Sequence, residues 1–388
     1  MLRTNKCSKT NIWLASIIIT GFIALYLFSA FAKESAEVST SAFSYASYKL
    51  IPPSGGDIVD FSVYGDTIYY SVLREPQNET DSKTYEIYSK NTKKDTVALL
   101  LKTIDAGIKM NNLKSNEQSL FWILQDSKEK WTLYRMNLNN HLVEAVYQSK
   151  TSPSSIPISV ALSNTHLIWY ESDDSLSKGH TYALKILDIE ANTIESFHDD
   201  IHLMSPYDTP YINDSIITYL KRNNSKNSIV TYDLVQNNFV GAYAPESSIL
   251  SPMSDNKHMI WHDGFGNANV YILKDFKNII KRDSESSESL TILNDQEIDI
   301  FTIHLLEDWI LINDRASKSI ISYNLDTGKY NDISQESMAA SHSSYITNGS
   351  ITVDDKFIAK QIIDKDIYCI IIAPENNTSK NKASSISN

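Results

Sequence analysis

A polar turn followed by a short apolar strand recurs along almost the whole chain. The clearest copy is residues 164–170, where Asn164 and Thr165 precede the run His166-Leu167-Ile168-Trp169-Tyr170. Weaker copies occupy residues 66–70, 119–123, 214–219, 257–262, 308–312 and 349–353. Because Asn, Asp and Gly tolerate the left-handed backbone of tight hairpins, each copy predicts a hairpin turn that leads into a strand.

The copies recur at intervals of roughly 40 to 53 residues, which is typical of a propeller blade or a solenoid unit. A third strand follows each copy and ends in an Asp or Asn flanked by larger residues, after which a second turn leads into a short fourth strand. Examples of this third strand end are Met136-Asn137-Leu138, Leu187-Asp188-Ile189, Tyr232-Asp233-Leu234 and Tyr323-Asn324-Leu325. No helical period lies between the strands, so four short strands per unit favour a propeller blade.

The predicted fold class is therefore all-β: a β-propeller of four-stranded blades, preceded by one transmembrane helix. The repeat count gives seven blades, and six remains an alternative because the last unit matches the pattern least well. A two-sheet β-sandwich would explain the spacing of the turns, but it would not explain the recurring order of three strands in each unit.

The N-terminal region predicts a membrane span and an outward-facing domain. Residues 1–11 are short and basic and are assigned to the cytoplasm, and residues 12–32 are apolar and long enough to cross a bilayer. The span is interpreted as an uncleaved signal anchor; the alternative is cleavage after Ala32, in the small-residue site Ala30-Phe31-Ala32, which would release a secreted protein.

The remaining boundaries follow from composition. Residues 33–56 are predicted to form a polar stalk, with 47–51 as a strand that could pair with the last blade and close the ring. Residues 57–374 are assigned to the propeller and 375–388 to a disordered polar tail.

The net charge of the chain limits the kinds of molecule that it is expected to bind. The chain carries −12 overall, and its first 32 residues contain Arg3, Lys6 and Lys9 but no acid, so the exported part carries −15. An acidic domain is unsuited to nucleic acid or to an anionic membrane surface. It suits cations, basic patches on proteins, or solubility alone.

The sequence contains no nucleophile elbow, zinc-protease helix, phosphate loop or dinucleotide fingerprint. No organic cofactor is predicted. Of the two cysteines, Cys7 precedes the span and Cys369 lies on a predicted strand, where a buried, inert thiol is expected.

The candidate metal ligands are His198, Asp199, Asp200 and His202, in a predicted loop between the third and fourth blades. Imidazole and carboxylate are the donors that a divalent cation would use. However, His at i and i+4 is a helical ligand spacing, and a polar loop without metal is the alternative.

Three other sets of residues carry side chains that chemistry could use. His258 and His262 share one face of a predicted strand. They are interpreted as structural histidines whose polar atoms have hydrogen-bond partners within the fold. The pairs Asp173-Asp174 and Asp354-Asp355 are candidate glycosidase carboxylates, or else ordinary turn residues. Equivalent positions in their blades are held by Trp122, Trp169 and Trp261, which are expected to pack between sheets rather than to stack on a sugar.

The repeat resembles that of the extracytoplasmic TolB-type and related WD-repeat-like β-propellers of bacteria. In those proteins a Ser-Pro-Asp-Gly-like turn leads into a strand of two apolar residues and Trp or Tyr. Here the turns read Ser163-Asn164-Thr165-His166 and Asp255-Asn256-Lys257-His258, so the strand is kept and the turn is not. The resemblance covers residues 57–373 and implies the fold, but no site residue.

The leading functional hypothesis is a membrane-anchored, non-enzymatic module that binds an extracytoplasmic protein or peptide at one face of the propeller. The alternative is a propeller that binds or cleaves a cell-wall carbohydrate. The identity of the partner and the oligomeric state are left open by the sequence.

Overall fold

The computed structural model describes the chain from residue 43 to residue 374 with internal gaps. The described residues are 43–53, 55–76, 78, 83–104, 109–125, 130–149, 160–172, 182–201, 210–223, 226–245, 249–255, 258–262, 267–272, 290–294, 300–306, 308–314, 319–325, 327–328, 330–333, 345–363 and 365–374. Within them the regular structure consists of 28 β-strands. No helix in these ranges is long and apolar enough to cross a membrane. The predicted cytoplasmic segment, membrane span and C-terminal tail lie outside the described residues.

The strands follow one another as antiparallel neighbours, in agreement with the repeated turns of the sequence. After β1 (Phe43–Leu50), the first sheet contains β2 (Asp57–Tyr64), β3 (Thr67–Arg74), β4 (Thr84–Asn91) and β5 (Thr96–Ile104). The second contains β6 (Lys109–Ser115), β7 (Ser119–Gln125), β8 (Trp131–Asn137) and β9 (Val143–Gln148).

The third sheet has eight strands. It contains β10 (Val160–Leu162), β11 (His166–Ser172), β12 (Tyr182–Asp188), β13 (Thr193–Ile201), β14 (Tyr211–Asn213), β15 (Ile216–Asn223), β16 (Lys226–Asp233) and β17 (Asn238–Tyr243). One residue pair, Ile201 with Lys221, joins its two halves.

Three four-stranded sheets complete the described fold. The first holds β18 (Leu250–Ser254), β19 (His258–His262), β20 (Asn267–Ile272) and β21 (Leu290–Asn294), and the next holds β22 (Ile300–Leu306), β23 (Trp309–Asp314), β24 (Ser319–Asn324) and β25 (Tyr330–Asp332). The last combines β26 (Tyr345–Ile351), β27 (Phe357–Ile363) and β28 (Asp366–Pro374) with β1 from the start of the chain. The protein is an all-β propeller of six hydrogen-bonded sheets, the alternative count from the sequence, and the seven-blade count is not confirmed.

The first strand of each repeat unit lies nearest the centre of the propeller. Successive first strands contact one another, from β2 to β6, β10, β14, β18, β22 and β26 in turn. The second strands are buried on both faces because a neighbouring sheet covers each side; six of the seven residues of β7 are buried, for example. This explains why the recurring apolar run in the sequence is nearly continuous rather than alternating.

Hydrophobic clusters fill the spaces between successive sheets. The three tryptophans at equivalent positions all pack toward the preceding unit: Trp122 against Tyr85 and Ile87, Trp169 against Trp131, and Trp261 against Leu220 and Ile229. All three are at most 1% exposed. The predicted packing role of these tryptophans is therefore confirmed.

The two ends of the described chain meet in one sheet. β1, which includes most of the predicted closing stretch 47–51, lies beside β28 as the outermost strand. Leu50 of β1 and Ile358 of β27 join the hydrophobic cluster that contains Ile58 and Val63 of the first sheet. The last sheet is thus packed against the first.

Irregularities recur in the first strands. The pairing between first and second strand shifts register at Ile58/Asp60, Asn111/Lys114, Leu250/Met253, Ile300/Thr302 and Ile346/Gly349. Such bulges bend a strand and redirect its side chains, and they are frequent next to functional sites. In β6 the bulge includes Asn112, which has a positive φ of 56°.

Candidate functional site

Titratable side chains from five sheets converge at the centre of the propeller. They are Asp60 of β2, Lys114 of β6, His262 of β19, His304 of β22 and Lys360 of β27, called here the axial cluster. The charges of Lys114 and Lys360 act on Asp60, and those of Lys114 and His262 act on His304. Strands β6 and β22 belong to sheets that are not neighbours, so Lys114 and His304 interact across the axis.

Asp60 is held by backbone donors. Its Oδ1 accepts a hydrogen bond from the N–H of Phe61 and its Oδ2 accepts one from the N–H of Leu113, both at 2.8 Å. The second bond joins the first sheet to the bulge of β6. Burial raises the pKa of this carboxyl group, and the two N–H groups and the nearby lysines oppose that shift.

Asn112 repeats the same arrangement one unit further along the chain. Its side-chain oxygen accepts a hydrogen bond from the N–H of Val160 at 3.3 Å. A polar side chain at the bulge of one first strand therefore caps a backbone donor of the next. These contacts fix the positions of β2, β6 and β10 around the axis.

Lys114 is the least satisfied member of the axial cluster. Burial lowers the pKa of its ammonium group, and the charge of Asp60 opposes this shift. Within the described ranges its Nζ makes no hydrogen bond and no ion pair within 4.0 Å. The residue as a whole is half-buried.

His304 is a neutral member of the axial cluster. Its Nε2 lies 3.1 Å from the hydroxyl of Thr302, and its ring lies 5.2 Å from that of Phe357. Burial, together with the charges of Lys114 and His262, lowers the pKa of His304 to about 3. A hydroxyl beside an imidazole resembles a nucleophile and its base, but a base this weak is poorly matched to proton abstraction near neutral pH.

One end of the axis is acidic. The turns between first and second strands meet at this end, and their carboxylates Glu117, Asp214, Asp255, Asp354 and Asp355 are called here the acidic rim. Burial raises the pKa of Tyr211, and three rim residues raise it further: Asp255, Asp355 and Asp214. Burial also raises the pKa of Tyr64, with contributions from Glu117 and Asp354. The rim therefore concentrates negative charge around Tyr211 and Tyr64.

The predicted metal ligands do not lie in a loop. His198, Asp199 and Asp200 belong to β13, at a register shift where four steps along β13 match two along β12. The loop assignment was wrong because the strand continues to Ile201, which pairs with Tyr182. His202 lies outside the described residues. Among the residues that are described, no group of three or more His, Cys, Asp or Glu side chains is placed to hold a metal.

The other candidate residues that the structure describes are buried or hydrogen-bonded within the fold. His258 is buried and its Nδ1 lies 3.2 Å from Asp255, and His262 is buried in the same strand. The Oδ2 of Asp354 accepts hydrogen bonds from Gly65 and Lys356. The other proposed carboxylate pair, Asp173-Asp174, lies outside the described residues.

Of the axial cluster, sequence reasoning singled out His262 alone, and only as a strand histidine. Asp60, Lys114 and Lys360 stand alone among unlike neighbours, and only the closed ring brings them together. The signal available in the sequence was weak, because it consisted of single charged residues within short strands.

Comparison with known proteins supports the fold. No family model and no curated protein matches the sequence. The β-propeller domain of the trilobed protease from Pyrococcus furiosus, described as having an open velcro topology, superposes with a TM-score of 0.56 at 10% identity, covering 81% of this chain and 92% of that domain. An acylaminoacyl peptidase from Pyrococcus horikoshii gives a TM-score of 0.52 at 11% identity, covering 80% of this chain but only 49% of the peptidase. Likeness at such identities shows a β-propeller fold and nothing narrower.

Proposed function

We propose that this chain is an extracytoplasmic β-propeller, anchored in the membrane by residues 12–32, that binds a segment of a protein or peptide at its axis. The observation that carries the proposal is the convergence of Asp60, Lys114, His304 and Lys360 from four different sheets. Charged groups gathered at a partly accessible centre are typical of a recognition site.

Binding fits the described chemistry better than catalysis does. The carboxylate of Asp60 is occupied by two backbone donors, and His304 is too weak a base to activate Thr302. The carbohydrate alternative receives no support from the tryptophans, because Trp122, Trp169 and Trp261 are buried between sheets and cannot stack on a sugar.

We further infer that the eight-stranded sheet acts as two blades, which makes the ring seven-bladed. A hydrophobic cluster lies between its halves, with Ile168 and Leu184 of one half packed with Ile217 and Tyr219 of the other. Face-to-face packing of this kind separates blades, whereas strands within one sheet lie side by side. A TolB-type relationship belongs to the same proposal and rests on the repeat alone.

Site-specific photo-crosslinking in the producing cells tests the proposed binding. Benzoylphenylalanine would replace Tyr211, which is on the axial strand β14, or, as a matched control, Phe239, which is on the peripheral strand β17 of the same half-sheet and is 47% exposed. We expect one defined protein or peptide adduct from position 211 and none from position 239. Absence of an adduct at 211, or the same adduct from both positions, would contradict axial binding.

The proposed location has its own test. An epitope tag placed after the last residue should be removed when protease is added outside intact cells or spheroplasts, while a cytosolic marker protein survives. A protected tag would place the propeller inside the cell and overturn the extracytoplasmic assignment.

A further inference from the structure

We infer that one buried water molecule is bound between the second and third sheets, where it joins the indole N–H of Trp169 to the side-chain oxygen Oε1 of Glu171. Both residues are on β11, two positions apart, so they face the same side of the sheet. That side is packed on the second sheet, because Trp169 shares a hydrophobic cluster with Trp131. Neither Trp169 nor Glu171 belongs to the axial cluster, so this site does not depend on the proposed function.

Two polar atoms on this side of β11 are buried without a partner in the described part of the chain. Among the described residues, the Nε1 of Trp169 donates no hydrogen bond and the Oε1 of Glu171 accepts none. Trp169 is fully buried, and Glu171 is 4% exposed. A buried polar atom without a partner costs free energy, and ordered water commonly satisfies such atoms in folded proteins. A donor and an acceptor on one side of one strand therefore indicate a hydration site.

The other oxygen of Glu171 is already occupied. Its Oε2 accepts a hydrogen bond from the hydroxyl of Tyr147 at 2.7 Å and lies 3.6 Å from the Nζ of Lys185. Burial raises the pKa of Tyr147, and the hydrogen bond to Glu171 raises it further, so the hydroxyl keeps its proton and donates it to the carboxylate oxygen. These contacts hold the carboxylate in place and leave its Oε1 without a donor from the described residues.

The size and the chemistry of the site favour water. Ala183 of β12 lies directly opposite Glu171 and adds only a methyl group to this side of the sheet, which leaves more space beside the carboxylate than a larger side chain would. The bound species must accept a hydrogen bond from an N–H group and donate one to a carboxylate. A metal cation cannot accept the first bond and chloride cannot donate the second, whereas water does both.

Trp122 provides a comparison within the same fold. It occupies the equivalent position on β7, it is buried, and its Nε1 also has no hydrogen-bond partner in the ranges that the structure describes. Two positions further along β7, however, the residue is Leu124, which is apolar. Because a buried water needs at least two polar partners, we expect a bound water at Trp169 and none at Trp122.

Nuclear magnetic resonance of the purified full-length chain tests this site. The indole N–H signals of Trp122 and Trp169 are assigned from the single variants Trp122→Phe and Trp169→Phe. Magnetisation transfer from water to each indole N–H is then measured in the parent chain. We expect a water cross-peak at the Trp169 indole and none at the Trp122 indole. Absence of the cross-peak at Trp169, or equal cross-peaks at both indoles, would overturn the assignment.

Two further variants separate the water from its neighbours. Glu171→Leu places in the third sheet the residue type that the second sheet has at this position, and it should abolish the cross-peak of Trp169. Tyr147→Phe removes a hydroxyl whose proton exchanges with bulk water, and it should leave the cross-peak intact. The opposite result from either variant would contradict the proposal.

A crystal structure of the parent chain at high resolution is a check that needs no variant. We expect electron density for one water within hydrogen-bond distance of both Trp169 Nε1 and Glu171 Oε1. A direct hydrogen bond between these two atoms, or a site without density, would show that no water joins them.

Discussion

The Oδ2 atom of Asp354 accepts a hydrogen bond from the backbone N–H of Gly65 at 2.9 Å, which joins the turn between β26 and β27 to the turn between β2 and β3. Lys356 reinforces this contact, since its Nζ reaches both Asp354 Oδ2 and the carbonyl of Gly65 at 2.6 Å. Thr352 donates to the other carboxylate oxygen at 2.8 Å. The last sheet and the first are therefore connected by a charged network as well as by apolar packing.

Asp354→Ala should lower the free energy of unfolding by about 1–3 kcal/mol, because it removes the acceptor for a backbone donor and for Lys356. Urea unfolding measures the change. Asp66→Ala is the control: Asp66 is in the neighbouring turn and pairs at the surface with Lys93, so its loss should cost less than about 0.5 kcal/mol. Equal effects of the two substitutions would contradict a role for Asp354 in ring closure.

Trp169→Ala should be among the most damaging substitutions, with an expected loss of about 3–5 kcal/mol. The indole is fully buried, and its ring centroid lies 5.3 Å from that of Tyr147 and 6.3 Å from that of Trp131. Phe239→Ala removes an aromatic ring that is 47% exposed and should be nearly neutral. The two variants are compared by their urea unfolding midpoints. Similar midpoints for Trp169→Ala and Phe239→Ala would show that packing between sheets does not stabilise the ring.

The neutral state of His304 makes stability depend on pH. Its pKa is lowered to about 3 in the folded protein, from an ordinary value of 6.5. Between these values the unfolded chain binds a proton that the folded chain does not, so stability falls as the pH falls from 6.5 toward 3. The slope from this one group is at most about 1.4 kcal/mol per pH unit.

His304→Gln removes this titration while keeping a hydrogen-bonding group near Thr302. Unfolding free energies measured at several values between pH 7 and pH 4 should therefore fall less steeply for the variant than for the parent chain. Parallel curves would mean that folding does not lower the pKa of His304.

Cys369 should be chemically silent in the folded state. It is fully buried, and burial raises the pKa of its thiol. In a Cys7→Ser background, alkylation by iodoacetamide should be slow in buffer and complete in denaturant, because the thiolate is the reactive form. Rapid alkylation in buffer would show that the sheet of β26 to β28 and β1 opens easily.

The metal hypothesis for His198, Asp199, Asp200 and His202 also predicts a measurable result. It expects one zinc ion per chain by calorimetry and loss of that binding in the double variant His198→Ala/His202→Ala. Histidines elsewhere in the chain provide the control, since His141→Ala should leave the stoichiometry unchanged. A parent chain that takes up no zinc would reject the site.

Repetition made the fold predictable, whereas the site depends on closure of the ring. Some features of the fold depend only on neighbouring residues, such as the turn at 163–165 and the buried strand β11. A local sequence pattern can therefore predict them. Lys114 and His304 lie on strands far apart in sequence, and no periodicity connects them. The bulges add a second obstacle, because each shifts the alternation that would otherwise indicate which side chains face the axis.

The loop assigned to residues 198–202 was wrong for a related reason. Three polar or charged residues in succession are typical of a loop, yet His198, Asp199 and Asp200 form an irregularity within β13, which resumes pairing at Ile201. The number of sheets could not be predicted from local sequence patterns either. A single backbone pair, Ile201 with Lys221, joins two groups of four strands into one sheet.

Closure of the ring by β1 has a consequence for how the protein is made. Lys49 of β1 and Asp366 of β28 form an ion pair although 317 positions separate them. At roughly 5–20 residues per second, synthesis leaves β1 without its partner for about 15 to 60 seconds. A chain that lacks β28 leaves that edge of β1 unpaired, and exposed strand edges promote aggregation. Pairing of β1 therefore waits for the synthesis of β28, the strand that covers this edge.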